Sequence, residues 1–180
     1  MSGQPVAVFL RAVNVGGNNR VPMAELRDLF DDLGLPGART YVQSGNVAVR
    51  AEVGSTSRRE ALAARIEAAI SQRFGVTQPL ALRTRAELAA IEARNPYLAV
   101  EPDPTRVHVL LLTGDPTPAG LAKMALHSAP PDEFHHDGRE VFIRYVGGAG
   151  TTKLRLDFGV PGTARNWRTV LNMITLLDEL

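Results

Sequence analysis

The residues best suited to chemistry lie in one short stretch. Leu10-Arg11-Ala12-Val13-Asn14-Val15-Gly16-Gly17-Asn18-Asn19-Arg20 sets paired glycines, three asparagines and two arginines between an apolar run, Val6 to Leu10, and an amphipathic run, Met23 to Leu33. That pattern describes a strand that ends, a polar loop and a helix that begins. Glycines there let backbone N–H groups turn toward an anion at a helix N-terminus, where the helix dipole favours negative charge. Arg11, Asn19, Arg20 and Gln43 would add side-chain donors. The same residues also fit a purely structural loop, with positive φ at Gly16 or Gly17 and asparagines bonding their own backbone. The loop lacks the Gly-Lys-Ser/Thr ending of a Walker motif, and no Gly-x-Gly-x-x-Gly is present.

Other candidates are weaker. Lys153 with Arg165, Asn166, Trp167 and Arg168 joins a Gly-Gly turn to a helix start, where an anion would be well served; a capped helix with Trp167 packed inward is the structural account. His135-His136-Asp137 suggests a metal, yet adjacent strand residues point to opposite faces, and His108 and His127 stand alone. No cysteine is present, which excludes disulfides, thiolate nucleophiles and cysteine-ligated metals. Ser44 has no histidine at a defensible spacing and sits outside a Gly-x-Ser-x-Gly elbow. No catalytic residue, metal or cofactor is expected, and whether the chain is an enzyme stays open.

Certain elements must position these groups. Val6 to Val13 is strand 1, and alternation puts Val6, Val8 and Leu10 on one face and Phe9, Arg11 and Val13 on the other. Pro22 suits the first turn of a helix carrying Met23, Leu26, Phe30 and Leu33, stopped by Gly34. Residues 38–43 and 46–50 alternate around Ser44-Gly45, a tight hairpin of strands 2 and 3. Ser57 with Glu60 forms a capping box for a helix with Leu62, Ile66, Ile70 and Phe74, ended by Gly75. Gln78 to Arg83 is strand 4. The order βαββαβ indicates a ferredoxin-like sandwich. In that topology strands 1 and 2 run the same way, so the loop at 14–20 and the turn Gln43-Ser44-Gly45-Asn46 emerge at one end of the sheet.

Thr84 with Glu87 caps a further helix that stops at Asn95-Pro96, and Glu101-Pro102-Asp103-Pro104 reads as a linker. Arg106 to Thr113 is a strand, Thr117-Pro118 opens a helix to Leu126, and Asp137-Gly138 joins strands at 133–136 and 139–146. Thus βαββ recurs. Leu154 to Val160 is expected as a short helix, and Arg165-Asn166-Trp167-Arg168 leads an amphipathic terminal helix with Trp167, Val170, Leu171, Ile174 and Leu177.

Three of these motifs resemble the family named domain of unknown function 1697. Residues 10–17 are similar to its Leu-Arg-Gly-Ile-Asn-Val-Gly-Gly opening, with Val21-Pro22-Met23-Ala24-Glu25-Leu26 in register. Thr40-Tyr41-Val42-Gln43-Ser44-Gly45-Asn46 resembles its hairpin, and Arg165-Asn166-Trp167 its C-terminal motif. The resemblance implies two ferredoxin-like subdomains and no activity. The chain departs from it at Asn18, where the family usually has Lys, and in a shorter stretch from Lys153 to Gly159.

The combined expectation is an α+β protein with antiparallel sheets: a first ferredoxin-like subdomain over 1–83, a helix and linker over 84–104, a second subdomain over 105–160 and a C-terminal helix over 161–180. The expected ligand is a small anion, a nucleotide or phosphate ester. It would be held by Arg11, Asn14, Gly16, Gly17, Asn18, Asn19, Arg20, Gln43, Ser44 and Asn46, with Lys153, Arg165 and Asn166 as further candidates. The alternative is RNA on an open sheet face carrying Phe9, Arg11, Arg39, Tyr41, Gln43 and Arg50, where bases would stack; burial of that face is the competing account. Formal charge is +1, so no global basic field argues for nucleic acid. No apolar run reaches the length of a membrane span, and a cytoplasmic location is expected. Oligomeric state cannot be read from these features.

Overall fold

The computed structural model describes residues 3–180. The chain forms two compact units: one runs to Ala89 and takes in Asn172–Leu180, and the other is Ala90–Leu171.

In the first unit, β1 (Gln4–Phe9), α1 (Met23–Asp32), β2 (Arg39–Tyr41), β3 (Asn46–Ala51), α2 (Thr56–Phe74) and β4 (Ala81–Thr84) follow in order, and α3 (Arg85–Arg94) begins. The sheet order is β2-β3-β1-β4, and every neighbouring pair is antiparallel. Because β3 opposes both β1 and β2, those two run in the same direction. Val6, Val8, Val47, Val49 and Leu82 share a core with Leu26 and Phe30 of α1 and Leu62, Ile66 and Ile70 of α2. The period-two and period-3.6 patterns meet in that layer, which is why the helices sit there.

Two caps differ from expectation. Pro22 is the N-cap of α1 rather than its first helical residue. Ser55, not Ser57, caps α2, because Ser55 has the extended backbone a cap needs and its Oγ accepts from the Arg58 N–H at 3.3 Å. The Thr84–Glu87 box forms as expected: the Glu87 N–H donates to Thr84 Oγ1 at 3.2 Å, and the Thr84 N–H to a Glu87 carboxylate oxygen at 2.7 Å.

The centre of the opposite face of this sheet is not open, whereas Arg39 and Arg50 on it are exposed and Tyr41 is half-buried. Ala7, Phe9, Ala48, Ala81 and Arg83 are all buried, Phe9 completely. The C-terminal residues of the unit are tied to its strands and to α3: Arg39 pairs with Glu179 at 2.8 Å, Arg50 Nε donates to the Leu180 carbonyl at 2.9 Å, and Arg85 grips Asp178 at 2.7 and 3.0 Å. An apolar strand residue flanked by alanines packs closely, so burial of both faces wins over exposure.

In the second unit, β5 (Val107–Leu112), α4 (Pro118–Ala125), β6 (Glu133–Asp137), β7 (Glu140–Arg144) and β8 (Gly162–Asn166) precede α5 (Trp167–Asp178). The order β6-β7-β5-β8 repeats that of the first sheet. Both units are ferredoxin-like, the second without a helix between its third and fourth strands. Residues 154–160, expected as a helix, run as coil. Leu154 and Phe158 are buried, and the Phe158 carbonyl accepts from the Thr117 N–H at 3.0 Å, so that backbone bonds to α4's start rather than to itself. Residues 162–166, expected to lead the terminal helix, pair with β5 as an edge strand. The helix starts at Trp167, after Asn166 Oδ1 accepts the Thr169 N–H at 2.9 Å.

On β5, His108 Nδ1 is buried without a hydrogen-bond partner, and the ring meets Tyr145 edge-on at 4.9 Å. Burial holds the imidazole pKa below its ordinary 6.5, opposed by a hydrogen bond to the Arg106 backbone. As pH falls, the unfolded chain takes the proton first. Stability is therefore complete above the ordinary value and declines below it. The melting temperature should drop as pH goes from about 7 to about 5, and His108→Leu should flatten that part of the profile. An unchanged slope in the variant would assign the acid sensitivity elsewhere.

Among the described residues, no helix is long and apolar enough to cross a membrane.

Candidate functional site

Two bends meet at one rim of the first sheet. After β1 the chain turns back on itself: the Asn14 N–H donates to the Asn19 carbonyl at 3.0 Å and the Asn18 N–H to the Val15 carbonyl at 3.1 Å. Gly16 (φ 59°) and Gly17 (φ 80°) are the central pair of that miniature hairpin, the left-handed combination that a tight two-residue turn requires. Asn19 Nδ2 donates to the Ala12 carbonyl at 2.9 Å. From the other bend, the Gly45 carbonyl accepts the Leu10 N–H at 2.8 Å, and Asn46, wholly buried, donates to the Tyr41 carbonyl at 3.0 Å and to Ser44 Oγ at 2.9 Å.

Asn14 stitches the parts together. Its Oδ1 accepts the Val21 N–H at 2.8 Å, and its Nδ2 donates to the Val21 carbonyl at 2.9 Å and the Gln43 carbonyl at 2.7 Å. One side chain thereby binds the strand-1 loop, the approach to α1 and the β2–β3 hairpin. The expected juxtaposition of the two remote bends is present.

Between them lies a groove of about 530 Å³. Asn14 and Gln43 form one wall, Val21, Pro22, Met23 and Ala24 carry the start of α1 along it, and Arg20 and Arg27 supply the cations. Arg27 Nη1 is anchored on Thr40 Oγ1 at 2.8 Å, while Arg20 is exposed. Pro22 offers no capping side chain, so no side chain caps the first turn of α1. Two positive groups beside an uncapped helix N-terminus make an arrangement that favours an anion.

The backbone here is held in conformations that L-residues avoid. Ala12, Asn14, Asn19 and Val42 all have φ between 50° and 55°, and these are the non-glycine residues with positive φ among the described residues. Val42 is β-branched, and it is about half exposed. Strain of this kind persists only where the surroundings over-determine it, and it gathers at functional loops.

The candidate residues separate by position. Arg20, Asn14 and Gln43 line the groove. Gly16, Gly17 and Asn18 form the exposed tip of the miniature hairpin and are not in the lining, so the glycines serve the turn. Asn19, Ser44 and Asn46 brace the bends. Arg11 is not in the lining either; its guanidinium donates to Gln78. Lys153, Arg165 and Asn166 belong to the second unit. Lys153 is exposed; Arg165 is buried, donates to Thr163 Oγ1 at 2.6 Å and the Ala164 carbonyl at 2.8 Å, and has its pKa pushed down to about 10 by burial. Asn166 is the cap of α5. Arg27 is a groove residue that the sequence analysis did not single out. Its signal was its place one turn inside the helix, from which a long side chain leans back over the N-terminal turn.

The histidines hold no common site. His136 Nε2 lies 2.7 Å from the Gly138 carbonyl, and His135 stacks on Phe142. Among the described residues, no group of three or more His, Asp or Glu is placed to hold a metal ion.

The sequence matches the family described as protein of unknown function, DUF1697, over residues 4–142, which includes both bends and the groove. The chain belongs to this family. Its DUF1697 match ends before β8, so the Arg165-Asn166-Trp167 motif lies outside the matched span. Among solved structures, a conserved bacterial protein from Streptococcus pneumoniae is similar, at 22% identity with a TM-score of 0.74, covering 96% of this chain and 98% of that one. At that identity the likeness speaks for the fold, and it covers both units. No curated protein matches. The DUF1697 description assigns no activity.

Proposed function

We propose that this protein binds a small anionic ligand, a phosphate ester or nucleotide, in the groove at the start of α1. The observation that carries this is the meeting of Arg20, Arg27 and an uncapped helix N-terminus in one cavity of about 530 Å³. That volume lies within the range of ordinary small-molecule sites. Guanidinium groups suit phosphate oxygens through paired donors, and first-turn N–H groups add to them. Gln43 orients the ligand, and Asn14 holds the walls in place without spending a donor on it. For the RNA alternative the face offers little stacking surface: Phe9 is completely buried, Tyr41 is half-buried, and Arg39 and Arg50 are engaged with the C-terminal residues.

Thermal-shift screening of nucleotides and phosphate esters tests this. The expected result is a positive shift with at least one phosphate-bearing compound that disappears in Arg20→Ala and survives in Arg11→Ala, because Arg11 serves Gln78 and lies off the groove. Arg20 is exposed, so its loss should leave the unliganded melting temperature nearly unchanged. No shift with any compound, or an equal shift in wild type and Arg20→Ala, would end the proposal.

A further inference from the structure

The groove at the start of α1 differs in charge balance from the rest of the molecule. Elsewhere several arginines are closed by carboxylates, as Arg39 is by Glu179, Arg85 by Asp178 and Arg139 by Asp115. The two arginines of the groove are not. Among the described residues, the Arg20 guanidinium makes no hydrogen bond or ion pair, and that of Arg27 bonds only to the uncharged Thr40 hydroxyl at 2.8 Å. Both line one cavity, and no lining residue carries a carboxylate. Its other polar side chains, Asn14 and Gln43, are neutral. Glu25 and Asp28 of α1 are exposed and stand outside the lining.

Two uncompensated cations in one groove are best matched by two negative charges. A ligand with a single charge would leave the second guanidinium facing the first without an anion between them. Donor count points the same way. A guanidinium presents a planar fork of five N–H donors, and Arg27 gives one of them to Thr40. Two forks that close on one centre and share an oxygen need three oxygens. A terminal phosphate has three unesterified oxygens, whereas a phosphodiester or a carboxylate has two.

Resting on the reading of this groove as an anion site, we infer that its ligand is a phosphate monoester in the dianionic form, and that Arg20 and Arg27 together select the terminal phosphate against diesters and carboxylates. Arg27, held by Thr40, supplies a fixed fork. Arg20, exposed and untethered, adjusts to the rest of the ester. The links of a nucleic-acid backbone are diesters and fall outside the class.

AMP and cyclic AMP share a base and a sugar and differ at the phosphate, a monoester in the first and a diester in the second. Isothermal titration calorimetry on the full chain at low ionic strength compares them. At about pH 7.5 AMP is expected to bind about tenfold tighter, the effect of one further charge-assisted contact. A phosphate monoester takes up its second proton at about pH 6, so lowering the pH to about 5 should remove most of that preference. Cyclic AMP keeps one charge throughout and corrects for any change in the protein. Arg27→Gln and Arg20→Ala each leave a single guanidinium and should each abolish the preference. Both positions are exposed, so the melting temperature should hold. Arg11→Ala, off the groove, should retain the preference. Equal affinity for the two compounds overturns the inference and leaves the broader anion-binding reading standing. So does a preference that ignores pH, or one that survives in either groove variant. Binding of neither compound overturns it as well, and the broader reading is then decided by its own wider screen.

Discussion

Gly45→Ala is expected to cost about 3 kcal/mol and to dismantle the rim where the two bends meet. A Cβ at this position would lie 2.5 Å from Val13 Cγ2 and 2.7 Å from Leu10 Cβ, both closer than real side chains ever approach. The backbone also has φ 70°, where an alanine is strained even with room to spare. Relief requires the hairpin to back away from the strand-1 loop. That motion breaks the bond from the Leu10 N–H to the Gly45 carbonyl and pulls Gln43 off Asn14. Chemical denaturation gives the loss in stability, and the same variant should show no ligand-induced thermal shift. Gly16→Ala makes the control. Its φ is equally left-handed, yet nothing lies within 4 Å of the added carbon, so about 1 kcal/mol is the expected cost. Equal losses at the two positions would mean that close packing of the bends contributes nothing.

The second large effect falls at Gly120. Inside an exposed helix, exchanging glycine for alanine stabilises by roughly 1 kcal/mol, and that is the outcome sequence reasoning favours here. The structure reverses the sign. A Cβ on Gly120 would stand 2.2 Å from the Phe158 carbonyl carbon, 2.3 Å from its oxygen and 2.8 Å from the Gly159 nitrogen. All three are backbone atoms, which no side-chain rotation can clear. Gly120→Ala should therefore destabilise by about 3 kcal/mol, as overpacking against a fixed wall does. Amide exchange locates the damage: the Thr117 N–H, which donates to the Phe158 carbonyl at 3.0 Å, should lose protection first. A variant as stable as wild type would show that the 154–160 segment can step aside.

The same segment marks where local pattern stops being informative. Leu154, Leu156, Phe158 and Val160 alternate or recur in ways that suit either a short helix or coil, and a run of that length carries too little periodicity to choose. The choice was made by α4: its glycine lets backbone approach backbone, and the Thr117 N–H captures the carbonyl a helix would have used internally. β8 was hidden for a related reason. Gly162-Thr163-Ala164-Arg165-Asn166 has neither the β-branched content nor the apolar alternation of a strand, and it exists because β5 has a free edge to pair with. By contrast, the hairpin at Asp137-Gly138 and the helix stops at Gly34 and Gly75 were legible outright, since each glycine takes the left-handed conformation its position requires.

At the candidate site the division is similar. The types of residue in the two bends were evident from the chain, and so was their meeting at one end, because strand direction follows from βαββαβ order alone. Which of them face a cavity was not. Gly16 and Gly17 look like a phosphate cradle in sequence and form a turn tip in space. Arg11 looks like a ligand and is taken by Gln78, sixty-seven residues away. Arg27 carries no motif in the sequence and lines the groove.

By itself, the sequence determined the class of the fold, its repetition and the end of the sheet at which polar groups collect, since hydrophobic period and chain direction are local quantities that add along the chain. Tertiary structure alone decided that the second face of the first sheet is largely buried too, which arginines remain available and where glycine cannot be replaced. Those outcomes depend on atoms far apart in sequence excluding one another from the same space, and no local pattern records that competition.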